Sequence, residues 1–196
     1  MGRKTVAEWL RAVGTKRKTF PQKNSKQNNT TPNPVFTQKH NTTMANTYTQ
    51  IHVQTIFAVQ NRQSLIQPQW AEKLNGYITG IIKNQGHKLL QIGGMPDHLH
   101  VFIGMRPHQA LSDLMRIVKG ESSKWINQQR LAKGRFSWQE GYGAFSYAKS
   151  QVPQVIRYIQ NQEEHHRERT FIEEYEALLK AFEVEYDERY IFKAVY

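Results

Sequence analysis

From Met44 onward the apolar residues change their period in a fixed order, and that order admits few folds. Residues 48–59 are β-branched and aromatic with near alternation, the pattern of a strand. Residues 68–84 place Trp70, Leu74, Tyr77, Ile78, Ile81 and Ile82 at helical spacing, and Asn84-Gln85-Gly86 ends the run. A short strand is predicted over 88–93, a turn over 94–97 and a second strand over 99–105, together a hairpin. A helix follows from near Ser112 to about residue 130, and 136–147 reads as an edge strand or hairpin. Ser150 caps a last strong helix over 151–169, with Pro153 tolerated in its first turn. Residues 171–190 are acidic and helical. The order β-α-β-β-α-β predicts an α+β fold of the ferredoxin-like, split βαβ kind. Its antiparallel sheet carries helices on one face, with a further C-terminal helix added.

The segment before this pattern cannot contribute to the same core. Residues 16–43 are a Lys/Asn/Gln/Thr/Pro tract with few aliphatic side chains, a composition that predicts disorder. The chain therefore divides into a basic N-terminal extension (1–43), a folded domain (44–170) and an acidic helical tail (171–196). Charge follows this division: 1–43 holds nine bases and one acid, 44–157 thirteen and five, and 158–196 five and ten. A polyanion suits the first two stretches, because neutralising phosphates releases counterions, although a basic surface also serves solubility. The absence of cysteine excludes thiol nucleophiles, Cys-bound zinc and disulfides, and fits a cytoplasmic location. The longest apolar runs fall far short of the roughly 20 residues that span a bilayer, so no membrane partner is expected. No GxxxxGK loop is present, so no nucleotide cofactor is expected.

His98-Leu99-His100 opens a predicted strand, where residues two apart share a face. Both imidazoles then project together, as half of a metal site or as two hydrogen-bonded core histidines. Asp97, just before them, is placed to orient one ring. A third ligand is required, and the helix over 151–169 can supply it. Val152, Val155, Ile156 and Ile159 form its apolar face, leaving Tyr158 roughly 120° away. Gln162, His165 and Arg169 continue the Tyr158 stripe. Tyr142 and Tyr147 are rival nucleophiles on a less rigid, glycine-containing segment. On the helix before it, Arg116, Lys119, Ser123, Asn127 and Arg130 line one side with Lys124 at its margin. With Arg62 they are candidates for contacts to nucleic-acid phosphates.

Gly94-Met95-Pro96-Asp97-His98-Leu99-His100-Val101-Phe102, followed by Tyr158-Ile159-Gln160-Asn161-Gln162, resembles the single-tyrosine HUH transposases of bacterial insertion sequences. These are the insertion-sequence-200-like enzymes and their relatives associated with repetitive extragenic palindromes. The resemblance covers about residues 47–170 and makes 44–170 a catalytic domain. It implies that His98, His100 and Gln162 bind a divalent metal and that Tyr158 attacks single-stranded DNA, leaving a 5′-phosphotyrosine. Mixed nitrogen and oxygen ligands suit Mg²⁺ or Mn²⁺ acting as a Lewis acid. It further implies recognition of hairpins at element ends and a homodimer. His165, after the glutamine, is an accessory candidate that the family pattern does not supply. Two other readings stay open: a domesticated protein that binds or processes palindromes, and a metal-dependent nuclease that uses water.

Overall fold

The computed structural model describes residues 48–187 and Ile191; the extension expected over 1–43 lies outside the described residues. Strands Ile51–Ala58 (β1), Lys88–Met95 (β2), His98–Met105 (β3) and Gly143–Tyr147 (β4) form one antiparallel sheet in the order β2-β3-β1-β4. Helices Pro68–Asn84 (α1) and Leu111–Gln128 (α2) are its two crossovers. Val152–Gln160 (α3), Gln162–Glu168 (α4) and Phe171–Ala181 (α5) follow the last strand. This is the ferredoxin-like split βαβ arrangement expected from the element order.

Each face of the sheet carries its own apolar layer, and the alternation of β3 shows why. Leu99, Val101 and Ile103 point to α1 and α2, where they meet Phe57, Leu74, Ile78, Leu114, Val118 and Ile126. Phe102 points the other way, to Ile56, Phe145, Val155, Ile159, Phe171 and Leu178. Fully burying such a side chain contributes about 1.5–3 kcal/mol, so neither layer is dispensable. His98 and His100 share the face of Phe102, so the C-terminal helices roof them, and both are fully buried.

Two elements differ from their sequence expectation. The helix expected over 151–169 is broken at Asn161 (φ −102°, ψ 25°), whose N–H is shared between the carbonyls of Arg157 and Tyr158. α4 begins after this break, at Gln162. Within 136–147 only the last five residues form a regular strand, and Trp138 meets Val59 in a single bridge. The rest is a loop held by α2. Asn127 exchanges hydrogen bonds with the backbone of Phe136, and Trp138 Nε1 donates to Ser122 Oγ at 2.9 Å. Lys119 Nζ donates to the carbonyls of Gln139 (2.7 Å) and Gly141 (2.5 Å).

Candidate active site

The two histidines are aimed by what stands behind them. His98 Nδ1 donates to Asp97 Oδ1 at 2.8 Å, and Arg62 binds the other Asp97 oxygen at 2.6 Å. Burial works against the Asp97 carboxylate, but His98 and Arg62 outweigh it and hold its pKa at about 2. Burial drives His98 down to about 4, with Asp97 pulling the other way, so the ring is neutral at pH 7. A neutral imidazole whose Nδ1–H is committed leaves the Nε2 lone pair for a cation. His100 Nδ1 faces the side-chain amide of Gln54 at 2.9 Å, and Gln54 Oε1 accepts from the Tyr147 hydroxyl at 2.7 Å. That buried pair fixes the second ring. Tyr147 is thus part of the support for His100 and is itself pushed far above its usual range by burial.

Helix α3 can close over these rings because of Gly93, which pairs with His100 across the hairpin. A Cβ at Gly93 would lie 2.9 Å from the carbonyl oxygen of Ile159, so only glycine admits the helix backbone this closely. The approach places Tyr158 against His100, ring centroids 6.0 Å apart. The stripe of Tyr158, off the apolar face of its helix, is covered: α5 packs over it and leaves Tyr158 only 4% exposed. Its hydroxyl donates to Glu174 Oε1, and Gln162 Nε2 donates to the same oxygen at 3.0 Å. Burial first, and then the Glu174 charge, raise Tyr158 well above its ordinary pKa. Burial would also raise Glu174, but the surrounding imidazoles, His100 foremost, hold it well below the usual carboxylate range.

Glu174 is the centre of the arrangement, and the sequence reading missed it. Its oxygens lie 3.6 Å from His100 Nε2, 4.0 Å from His98 Nε2 and 3.0 Å from His166 Nε2. One ligand atom from each of His98, His100 and Glu174 falls within 4.8 Å of the other two. A signal existed: Phe171, Tyr175 and Leu178 make the buried stripe of α5, and Glu174 sits inside that stripe rather than opposite it. His165, on the stripe expected from the sequence, is half-buried against Tyr158 with tilted rings 4.9 Å apart, and its neighbour His166 reaches Glu174.

Five buried side-chain atoms here have no hydrogen-bond partner: His98 Nε2, His100 Nε2, His166 Nε2, Gln162 Oε1 and Glu174 Oε2. Orphaned polar atoms cost about 1–3 kcal/mol each, and a divalent cation would satisfy several at once. The donor set therefore fits a metal. A cleft of about 460 Å³ borders the cluster, with Arg62, His166, Arg167 and Arg169 in its wall. The α2 candidates divide: Arg116, Lys124 and Arg130 are exposed, Ser123 is half-buried, and Lys119 and Asn127 hold the loop that follows.

A buried tyrosine and two buried histidines thus meet on one face of a split βαβ sheet. Residues 47–162 match the family described as "Transposase IS200 like", and the chain belongs to that family of transposases. It is similar to the ISDra2 transposase TnpA of Deinococcus radiodurans, with 24% identity over 118 residues, 58% of this chain and 84% of that protein. A crystal structure of a chain assigned as a transposase from Deinococcus radiodurans shares the fold. Its TM-score is 0.50 at 22% identity, over 60% of this chain and 95% of that one. The structure of a REP-associated tyrosine transposase bound to a REP hairpin gives 0.48 and 14%, over 62% and 72%. The family match contains His98, His100, Tyr158 and Gln162 and stops before His166 and Glu174. Among the described residues no helix is long and apolar enough to cross a membrane.

Proposed function

We propose that this transposase cuts and rejoins single-stranded DNA through Tyr158, with a divalent cation held by His98, His100 and the carboxylate or amide beside them. The observation that carries the reading is the convergence of the Tyr158 hydroxyl with two orphaned imidazole nitrogens on the Glu174 carboxylate. The cation supplies Lewis-acid polarisation of the scissile phosphate. Gln162, whose Oε1 is unpartnered, and Glu174 both offer it oxygen. With His98, His100 and Gln162 alone the ion is Mg²⁺ or Mn²⁺.

Tyr158 is protonated at neutral pH, and Glu174, which accepts its hydrogen bond, relays that proton to the departing 3′ oxygen as the new bond forms rather than holding it. The tyrosine oxygen then bonds to phosphorus, and the bond from phosphorus to the 3′ oxygen breaks. The products are a 5′-phosphotyrosine and a free 3′-hydroxyl. Rejoining reverses these steps with another 3′-hydroxyl, and the retained diester energy removes any need for a nucleotide. Arg62, Arg167 and Arg169 in the adjoining cleft have the charge to seat the flanking phosphates. The resemblance extends the proposal to hairpins at the element's ends as substrate and to a homodimer as the working form.

A covalent-capture assay tests this on 3′-labelled single-stranded DNA carrying the gene's flanking sequences, with Mn²⁺ or Mg²⁺. A denaturation-resistant labelled band is expected from wild type and none from Tyr158→Phe. Cleavage without any adduct would favour a nuclease that uses water, and binding with neither would favour a domesticated binder.

A further inference from the structure

His166 lies outside the family match and outside the set of two histidines and a glutamine, yet it reaches the same carboxylate, Glu174. It sits on α4 one turn after Gln162, so both side chains share a face of that helix. Its ring is 4.9 Å from that of His98, and its side chain is 9% exposed. His166 Nε2 and Glu174 Oε2 are 3.0 Å apart, but neither is angled to make a hydrogen bond. That separation suits two ligands on one ion, since bonds of about 2.1 Å place neighbouring donors roughly 3.0–3.4 Å apart. A small, partly open space of about 10 Å³ lies on the His166 side of Glu174, bordered by Tyr158, His165, His166 and Arg169.

We propose that His166 is a further ligand of this centre, and that a third imidazole makes the site prefer Zn²⁺ or a similar first-row ion over Mg²⁺. The inference rests on the metal centre proposed above and goes beyond it in ligand and in ion. The chemistry is that of the donor set: three imidazoles and one carboxylate match the borderline ions, whereas Mg²⁺ favours oxygen and retained water. Four donors drawn from β3, α4 and α5 also make the cation a tie between the sheet and its C-terminal roof. Metal binding thereby fixes α4, which carries Gln162, and α5, whose Glu174 accepts the hydrogen bond of Tyr158.

The test uses the full chain stripped of metal and titrated calorimetrically with Zn²⁺ and with Mg²⁺, as wild type, His166→Ala, His166→Gln and His98→Ala. Co²⁺ absorption serves as a second readout. Wild type is expected to bind one Zn²⁺ and give the intense visible bands of four-coordinate Co²⁺. Both His166 variants should bind Zn²⁺ at least about 10-fold more weakly with Mg²⁺ affinity unchanged, and their Co²⁺ bands should weaken. Thermal melts in EDTA identify any variant that fails to fold, and the glutamine variant keeps a polar side chain of similar reach. Wild-type Zn²⁺ affinity and Co²⁺ bands in folded His166 variants would overturn the inference while leaving the metal centre intact. Unchanged binding in His98→Ala, or no binding by wild type, would instead overturn the metal centre itself.

Discussion

Lowering the pH should loosen the metal-free protein well before its carboxylates titrate, because His98 is buried in its neutral form. Its pKa is about 4 in the folded chain against 6.5 for the free side chain. The folded state then binds fewer protons than the unfolded state between these values. The stabilisation is present above pH 6.5 and is lost as the pH falls toward 4. At about 1.4 kcal/mol per pKa unit, roughly 2–3 kcal/mol should be gone by pH 4.5, a large share of a typical domain's 5–15 kcal/mol. His165, lowered first by burial, adds to the loss with the same sign. Asp97 and Glu174 are depressed carboxylates, so their contributions fail only below their unfolded values of 3.8 and 4.5. Urea unfolding followed by tryptophan fluorescence, in EDTA from pH 8 to 4.5, measures the effect. His98→Asn should flatten most of the slope. A wild-type profile that is flat across this range, or identical to that of His98→Asn, would refute the assignment of a neutral buried imidazole.

The glycines supply a steric check. A Cβ at Gly143 would meet the Tyr175 ring at 2.6 Å, so Gly143→Ala should cost about 1–3 kcal/mol by displacing α5, measured by urea melts. At Gly94 a Cβ would collide with the His98 carbonyl, so Gly94→Ala should disturb the hairpin and weaken Zn²⁺ binding, read by calorimetry. Ser122→Ala removes the acceptor of the buried Trp138 N–H and should lower stability by about 1–3 kcal/mol in the same melts. On α2 the exposed Arg116 and the loop-bound Lys119 should behave differently. Arg116→Ala should reduce the salt dependence of DNA binding by about 0.7 in log–log slope if it meets a phosphate, and Lys119→Ala should mainly lower stability.

What the sequence determined by itself is local. Alternation along residues 98–105 put both histidines on one face of a strand, and the order of elements led to the split βαβ sheet with the observed strand order. The spacing of Tyr158 and Gln162 placed them a turn apart, and they remain neighbours on Glu174 despite the break at Asn161. Tertiary structure decided the rest. Lys119 and Asn127 read as surface groups for phosphates, but the loop after α2 folds back and takes their hydrogen bonds. Glu174 belongs to a stretch read as an acidic helical tail outside the catalytic domain, yet α5 lies across the histidine face and buries that carboxylate. His166, one turn after Gln162 on α4, reaches the carboxylate, while His165 lies against Tyr158, and which of them meets Glu174 depends on where α5 packs. Periodicity fixes which side chains share a face of one element. Which faces then meet depends on chain reversals and on close approaches such as that of Gly93 to Ile159, and these are settled only when the layers pack.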